Sequence, residues 1–133
     1  MTDLEAMMAD RLRPVLEAQA KALMASRESL TAAEAAASAA DRKVTDLLAS
    51  RRIRSREVVA NVAGKDRALA LLDGEIRQAE SAAREMQSRY DQALTDLRRV
   101  EVAARGAVRE IVEQFASDLV HQAVDAVWQR LVG

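Results

Sequence analysis

The fold is decided by residues 58–111, VVANVAGKDRALALLDGEIRQAESAAREMQSRYDQALTDLRRVEVAARGAVREI. Alternate steps of four and three residues from Val58 reach an apolar side chain at every position except Lys65. The positions are Val58, Val62, Lys65, Leu69, Leu72, Ile76, Ala79, Ala83, Met86, Tyr90, Ala93, Leu97, Val100, Ala104, Ala107 and Ile111. A repeat of 3.5 residues predicts a long helix with one apolar stripe, which at least one further helix must cover.

The composition indicates an all-α protein. Aromatic side chains make up 2% of the 133 residues, and alanine, which favours helices, supplies much of the apolar content. One proline and four glycines leave few positions for turns between strands. We therefore predict a long extended helix, a coiled-coil or hendecad-like rod, that ends in an amphipathic docking helix.

The charge balance argues against a dedicated binder of nucleic acid or anionic membrane, because the formal net charge is −1. The absence of cysteine excludes disulfides and thiolate zinc sites and fits a reducing compartment. No stretch has the length and apolarity of a transmembrane helix, and the N-terminus is acidic where a signal peptide is basic. These features predict a soluble chain.

The first 57 residues form a weaker version of the same pattern. Thr2 and Glu5 have the spacing of a helix-capping box, and Pro14 is expected to kink the helix or to mark its start. The three-four rhythm continues from Leu12 to Arg54, but residues 31–43 lack any large aliphatic side chain. This tract is either a solvent-exposed helix or a close-packed seam of alanines.

The two stripes meet out of register, because the steps from Arg54 to Val58 and from Val58 to Val62 are both four residues. Such a stutter locally relaxes a left-handed supercoil. Arginines at positions 51 and 54 would be costly to bury, so we expect the pairing to open there or an acidic group to meet them.

After Gly106 the narrow stripe is predicted to widen into one apolar face that includes Phe115 and Trp128, as in a helix that docks into a groove or bundle. We predict three segments: 1–57, an Ala-rich helical segment; 58–105, a dimerising rod; and 106–133, a docking helix. The predicted partner-binding residues lie in the last two segments. They are Val62, Leu69, Leu72, Ile76, Met86, Tyr90, Leu97, Ile111, Val112, Phe115, Leu119 and Trp128.

Catalytic chemistry finds little support in the sequence. The single histidine, His121, is best explained as a polar residue on a solvated flank, and no glycine-rich phosphate loop is present. The arginine cluster at 51–56 has no aromatic neighbour to stack on a base, so we interpret it as an inter-subunit or solvated patch. We predict no catalytic residue, cofactor or metal.

Several short runs resemble the hydrophilic part of b-type peripheral-stalk subunits of F-type ATP synthases. They are RESLTAAEAA at 27–36, REVV at 56–59, RAL at 67–69 and AVREIV at 107–112, and the resemblance spans roughly residues 12–132. Members of that family begin with a transmembrane span. This chain has none, so it is expected to be either the soluble part of such a subunit or a soluble relative.

The resemblance implies a mechanical role in ATP synthesis and proton transport. Such a stator links the membrane sector to the catalytic head and resists rotor torque, as a homo- or heterodimer whose C-terminal helix meets a delta-type subunit. The implied location is cytoplasmic and peripheral to the inner membrane through the complex, with no direct membrane contact. Alternatives are a stator or regulator of a flagellar or type III secretion ATPase, a generic coiled-coil scaffold, and a nucleic-acid-associated protein acting through the arginine cluster.

Overall fold

The computed structural model describes residues 2–57 and 62–133, which form two long helices. Helix α1 spans Asp3–Arg56 and helix α2 spans Val62–Val132. Every described residue except Thr2, Glu57 and Gly133 is helical, which confirms the all-α prediction. The helix is not continuous along the chain, because α1 ends at Arg56. The predicted stripe start at Val58 and most of the stutter lie outside the described residues.

The predicted capping box opens α1. The Thr2 backbone N–H donates to Glu5 Oε2, and the Glu5 backbone N–H donates to Thr2 Oγ1, each over 3.2 Å. These reciprocal bonds satisfy two of the backbone donors that a helix N-terminus leaves without internal partners. The helix accordingly begins at Asp3, as the sequence predicts.

Pro14 does not start the helix, and the expectation of a start at this position was wrong. It lies inside α1, on the exposed side, with helix on both sides. A proline inside a helix removes one backbone hydrogen bond, at a cost of about 3 kcal/mol. The helix continues because the long flanking segments, and the side chains that pack beneath them, outweigh this local cost.

The chain divides into two compact units. The central unit is Arg27–Asp96, in which the second half of α1 and the first part of α2 run antiparallel. The terminal unit combines Met1–Ser26 with Leu97–Gly133, so it contains nearly the first half of α1 and the second half of α2. The predicted division into three segments stays a prediction.

An ion pair joins the two helices of the central unit. Arg51 Nε donates to Asp73 Oδ1 over 2.5 Å, which lowers the pKa of Asp73 and raises that of Arg51. The acidic group expected to meet Arg51 is therefore supplied by the chain itself. Arg54 instead stays exposed beside Glu57, at 3.7 Å.

Lys65, the one polar side chain in the stripe of α2, also has a structural explanation. Its ammonium donates to the Glu57 carbonyl oxygen over 2.9 Å, just after the end of α1. Backbone carbonyls at a helix C-terminus lack internal partners, and a lysine is well suited to satisfy one. The interruption of the stripe thus coincides with the place where α1 ends.

From Lys65 to Ile111 the stripe positions of α2 are buried or half-buried, whereas Val62 is exposed. In the central unit Ile76 and Ala79 of α2 are buried, as is Ala37 of α1. Ala37 is buried and its neighbours Ala33, Ala36 and Ala40 are half-buried, so one side of the alanine tract is covered while the rest is exposed. In the terminal unit Leu97, Ala104 and Phe115 are buried.

This burial arises within a single chain, so the helix that covers the buried positions of α2 is α1. Whether the side chains interlock as in a coiled coil stays a prediction. Among the described residues, no helix has the length and apolarity needed to cross a membrane.

Candidate partner-docking surface

The last third of α2 is held to the start of α1 by three side chains. Arg11 Nη1 donates to Asp118 Oδ2 over 2.7 Å, and the Arg11 guanidinium carbon lies 5.0 Å from the centroid of the Phe115 ring. Phe115 is only 3% exposed. The guanidinium thus covers an aromatic face and neutralises a carboxylate one turn further along α2. We call these three residues the Arg11 clasp.

The electrostatics of the clasp favour an ionised Asp118. The hydrogen bond from Arg11 is the largest cause that lowers the pKa of Asp118, followed by a 3.0 Å hydrogen bond from Gln114. Partial burial acts in the opposite direction but does not prevail. The aspartate therefore stays charged and keeps Arg11 in place over the ring.

Beyond Leu119, the side of α2 that faces α1 carries no large apolar side chain. At about 100° per residue, the positions that continue the direction of Phe115 are Leu119, Gln122, Ala126 and Gln129. All residues from Val120 to the C-terminus are exposed. The apolar seam with α1 therefore ends within about one turn of Phe115.

The large apolar side chains of these last turns lie on another side of α2. Val120, Val124, Val127 and Leu131 are all exposed, and they point about 120° to 180° away from Phe115 around the helix axis. We call these four residues the C-terminal ridge. A contiguous apolar row without a cover is typical of a surface that binds another protein.

The interpretation of Phe115 and Trp128 as members of one apolar face needs correction. They are thirteen residues apart, which places them about 140° apart around the helix. Phe115 is 3% exposed, whereas Trp128 is 62% exposed and flanks the C-terminal ridge. The wide apolar face predicted after Gly106 is in fact two narrower faces, one covered by α1 and one uncovered.

The structure places the twelve predicted partner-binding residues in three environments. Ile76, Leu97 and Phe115 are buried inside the chain. Six more are half-buried along the seam: Leu69, Leu72, Met86, Tyr90, Ile111 and Leu119. The remaining three, Val62, Val112 and Trp128, are exposed. The last group offers the most accessible surface to a partner.

Sequence reasoning missed the Arg11 clasp and omitted the C-terminal ridge from the predicted binding residues. The four-three-four spacing of Val120, Val124, Val127 and Leu131 was readable in the sequence. The clasp left no such signal, because Arg11 and Asp118 are 107 residues apart.

The arginine cluster does not form one free basic patch. Arg51 is paired with Asp73, and Arg54 lies 3.7 Å from Glu57. An exposed apolar pair, Ile53 and Leu71, lies in a shallow groove of the central unit beside Arg54 and Glu57. These contacts use part of the cluster's charge within the chain, which weakens its interpretation as a phosphate-binding site.

Across residues 2–57 and 62–133 there is no group of three or more His, Asp or Glu side chains arranged to hold a metal ion. His121 is exposed, on the flank of the C-terminal ridge.

A scan of protein-family models matches no family, and searches of curated proteins and of solved structures find no match to this chain.

Proposed function

We propose that this chain is a non-catalytic structural protein whose paired helices present the C-terminal ridge to another protein. The observation that carries the proposal is the row of exposed apolar side chains in the last turns of α2. The rest of the terminal unit already covers its apolar stripe with α1, so the ridge is not needed to hold α1 in place. An uncovered ridge that the fold does not use is best explained by intermolecular contact.

The ionisable groups support a structural role. The pKa values of Arg51, Asp73 and Asp118 are shifted, and each shift arises mainly from an ion pair that joins α1 to α2. Perturbed pKa values mark either reactive sites or structural ion pairs. Here their cause is the pairing of the two helices.

A stator subunit of a rotary ATP synthase is a more specific form of this proposal. The resemblance to b-type subunits and the exposed end of α2 both support it, since those subunits dock on the catalytic head and a delta-type subunit through a C-terminal helix. The family's long helix pairs with a second chain, whereas α2 is covered by α1 here. In this form, one chain would supply both helices of a torque-resisting strut.

Two alternatives remain within the same class. A stator or regulator of a flagellar or type III secretion ATPase would use the ridge in the same way, and so would a scaffold without an ATPase partner. The identity of the captured protein separates these roles.

A capture experiment from native membranes tests the proposal. Tagged wild-type chain, Val127→Asp and Val102→Asp would be compared, with bound proteins identified by mass. Val102 is a matched control because it is a valine of α2 that is at least as exposed as Val127 and lies outside the ridge. We expect wild type and Val102→Asp to retain the same partner and Val127→Asp to lose it.

Retained subunits of a rotary ATP synthase would identify the stator role. Subunits of a secretion ATPase, or a partner unrelated to ATPases, would assign one of the alternatives. Equal capture by Val127→Asp and wild type would refute the ridge as the docking surface.

A further inference from the structure

A second open surface lies on α2 about two turns before the C-terminal ridge. It is a groove of about 510 Å³ that is lined by two neighbouring rows of side chains, each with a spacing of four residues. Side chains at this spacing form ridges on a helix, and the space between adjacent ridges is a groove. The apolar row is Ala104, Val108 and Val112, and the charged row is Arg105, Arg109 and Glu113. We call this surface the Arg105 groove.

The apolar row of the groove becomes more accessible along its length. Ala104 is buried, Val108 is half-buried and Val112 is exposed. The row therefore borders the seam with α1 at one end and opens to solvent at the other. An occupant of the groove would gain apolar contact mainly from Val108 and Val112.

The charged row supplies two cations that the fold does not use. Within residues 2–57 and 62–133, neither Arg105 nor Arg109 forms an ion pair, although an acidic side chain lies one turn away from each. At the same spacing on the same helix, Arg89 does pair with Glu85, over 2.7 Å. Both guanidinium groups of the groove are therefore available to carboxylates from outside the chain, whose planar geometry they match.

The shape of the groove favours a helix as its occupant. The groove is lined by α2 alone and is open, so it cannot enclose a small molecule, whose sites usually bury most of the ligand surface. A ridge of side chains on another helix fits such a groove, as in the common packing at about −50°. Arg105 and Arg109 lie about 6 Å apart along the axis, which is also the spacing of two carboxylates four residues apart on a helix.

The charge distribution favours an acidic protein helix over an anionic lipid surface or nucleic acid. The terminal unit as a whole contains one more acidic than basic side chain, so it is not a broad cationic surface. The positive charge of the groove is confined to two neighbouring guanidinium groups, and Glu113 ends the same row. Such a short cationic row complements two carboxylates on a narrow element rather than a flat field of phosphates.

We propose that the Arg105 groove binds an acidic amphipathic helix of another protein. The apolar ridge of that helix packs against Val108 and Val112, and two of its carboxylates, one turn apart, pair with Arg105 and Arg109. The groove is separate from the C-terminal ridge, so this inference goes beyond the proposed function of the ridge and does not rest on it.

A designed helical peptide tests the proposal on the full chain. The probe is an alanine-rich helix with leucines four residues apart in one row and glutamates four residues apart in the neighbouring row. A matched peptide carries glutamine in place of each glutamate. By fluorescence anisotropy, we expect the glutamate peptide to bind with a dissociation constant on the order of 10–100 µM, and the glutamine peptide about 10-fold more weakly, because it cannot form the ion pairs.

Three variants of the chain locate the binding. Arg109→Glu should weaken binding of the glutamate peptide about 10-fold or more, whereas Arg84→Glu, which alters an exposed arginine of α2 in the central unit, should bind like wild type. Glu113→Lys should strengthen binding several-fold, because it extends the cationic row. A variant that fails to fold cannot produce such a gain.

Equal binding of the glutamate and glutamine peptides, or equal binding by wild type and Arg109→Glu, would overturn the proposal. If the peptide does not bind and the chain instead binds phosphatidylglycerol vesicles or a second copy of itself through Arg109, the occupant is not an acidic helix of another protein. Val127→Asp should bind the peptide like wild type. The groove can therefore fail this test while the C-terminal ridge keeps its partner, and the reverse outcome is equally distinguishable.

Discussion

Phe115→Ala provides the most direct test of how the terminal unit is held together. The ring is 3% exposed and lies beneath the Arg11 guanidinium. A buried aromatic side chain removes about 150–250 Å² from water, of which truncation to alanine loses roughly 120 Å². At about 25 cal/mol per Å² this predicts a loss of about 3 kcal/mol in the free energy of unfolding.

Trp128→Ala is the matched control for aromatic truncation in the same helix. Trp128 is 62% exposed, so its removal should change the free energy of unfolding by no more than about 0.5 kcal/mol. Phe115→Leu should recover most of the loss, because leucine refills much of the volume under Arg11.

Urea denaturation followed by circular dichroism at 222 nm would measure the three variants. The protein concentration should stay well below that at which the chain associates, so that only the folding of single chains is compared. If Phe115→Ala and Trp128→Ala destabilise the chain equally, or if Phe115→Ala costs less than about 1 kcal/mol, the burial argument for the clasp is refuted.

Three further predictions concern the seam, the Arg51 ion pair and the proline. Leu97→Asp should destabilise the chain by more than about 3 kcal/mol in urea, because it buries a charge, while the exposed Val102→Asp should be nearly neutral. The hydrogen bond from Arg51 lowers the pKa of Asp73 from 3.8, so the ion pair stabilises the folded chain above that value. This stabilisation is lost as the pH falls through the lower folded pKa. The difference in unfolding free energy between wild type and Asp73→Asn should therefore shrink over that acid range. Pro14→Ala should raise the unfolding free energy by about 1–3 kcal/mol in the same assay, and unchanged stability would show that the helix already absorbs the proline without strain.

The local sequence was sufficient to predict that the chain forms helices and which side of each helix is covered. The capping box at Thr2 and Glu5 predicts where α1 begins, and the three-four rhythm predicts which side of each helix is covered, including Ile76 and Leu97. These features depend on residues within one or two turns of each other, which sequence periodicity captures directly. The local expectation of a helix start at Pro14 failed, because the helix on both sides outweighs the cost of the proline.

The tertiary structure decided what covers the stripe. An apolar row shows that a cover is needed, but a partner chain and a distant part of the same chain satisfy it equally well. The ion pairs of Arg51 with Asp73 and of Arg11 with Asp118 identify the cover as α1. The second pair joins residues 107 positions apart, and no local pattern encodes such a contact, because its formation depends on where the whole chain turns back and in which register it packs.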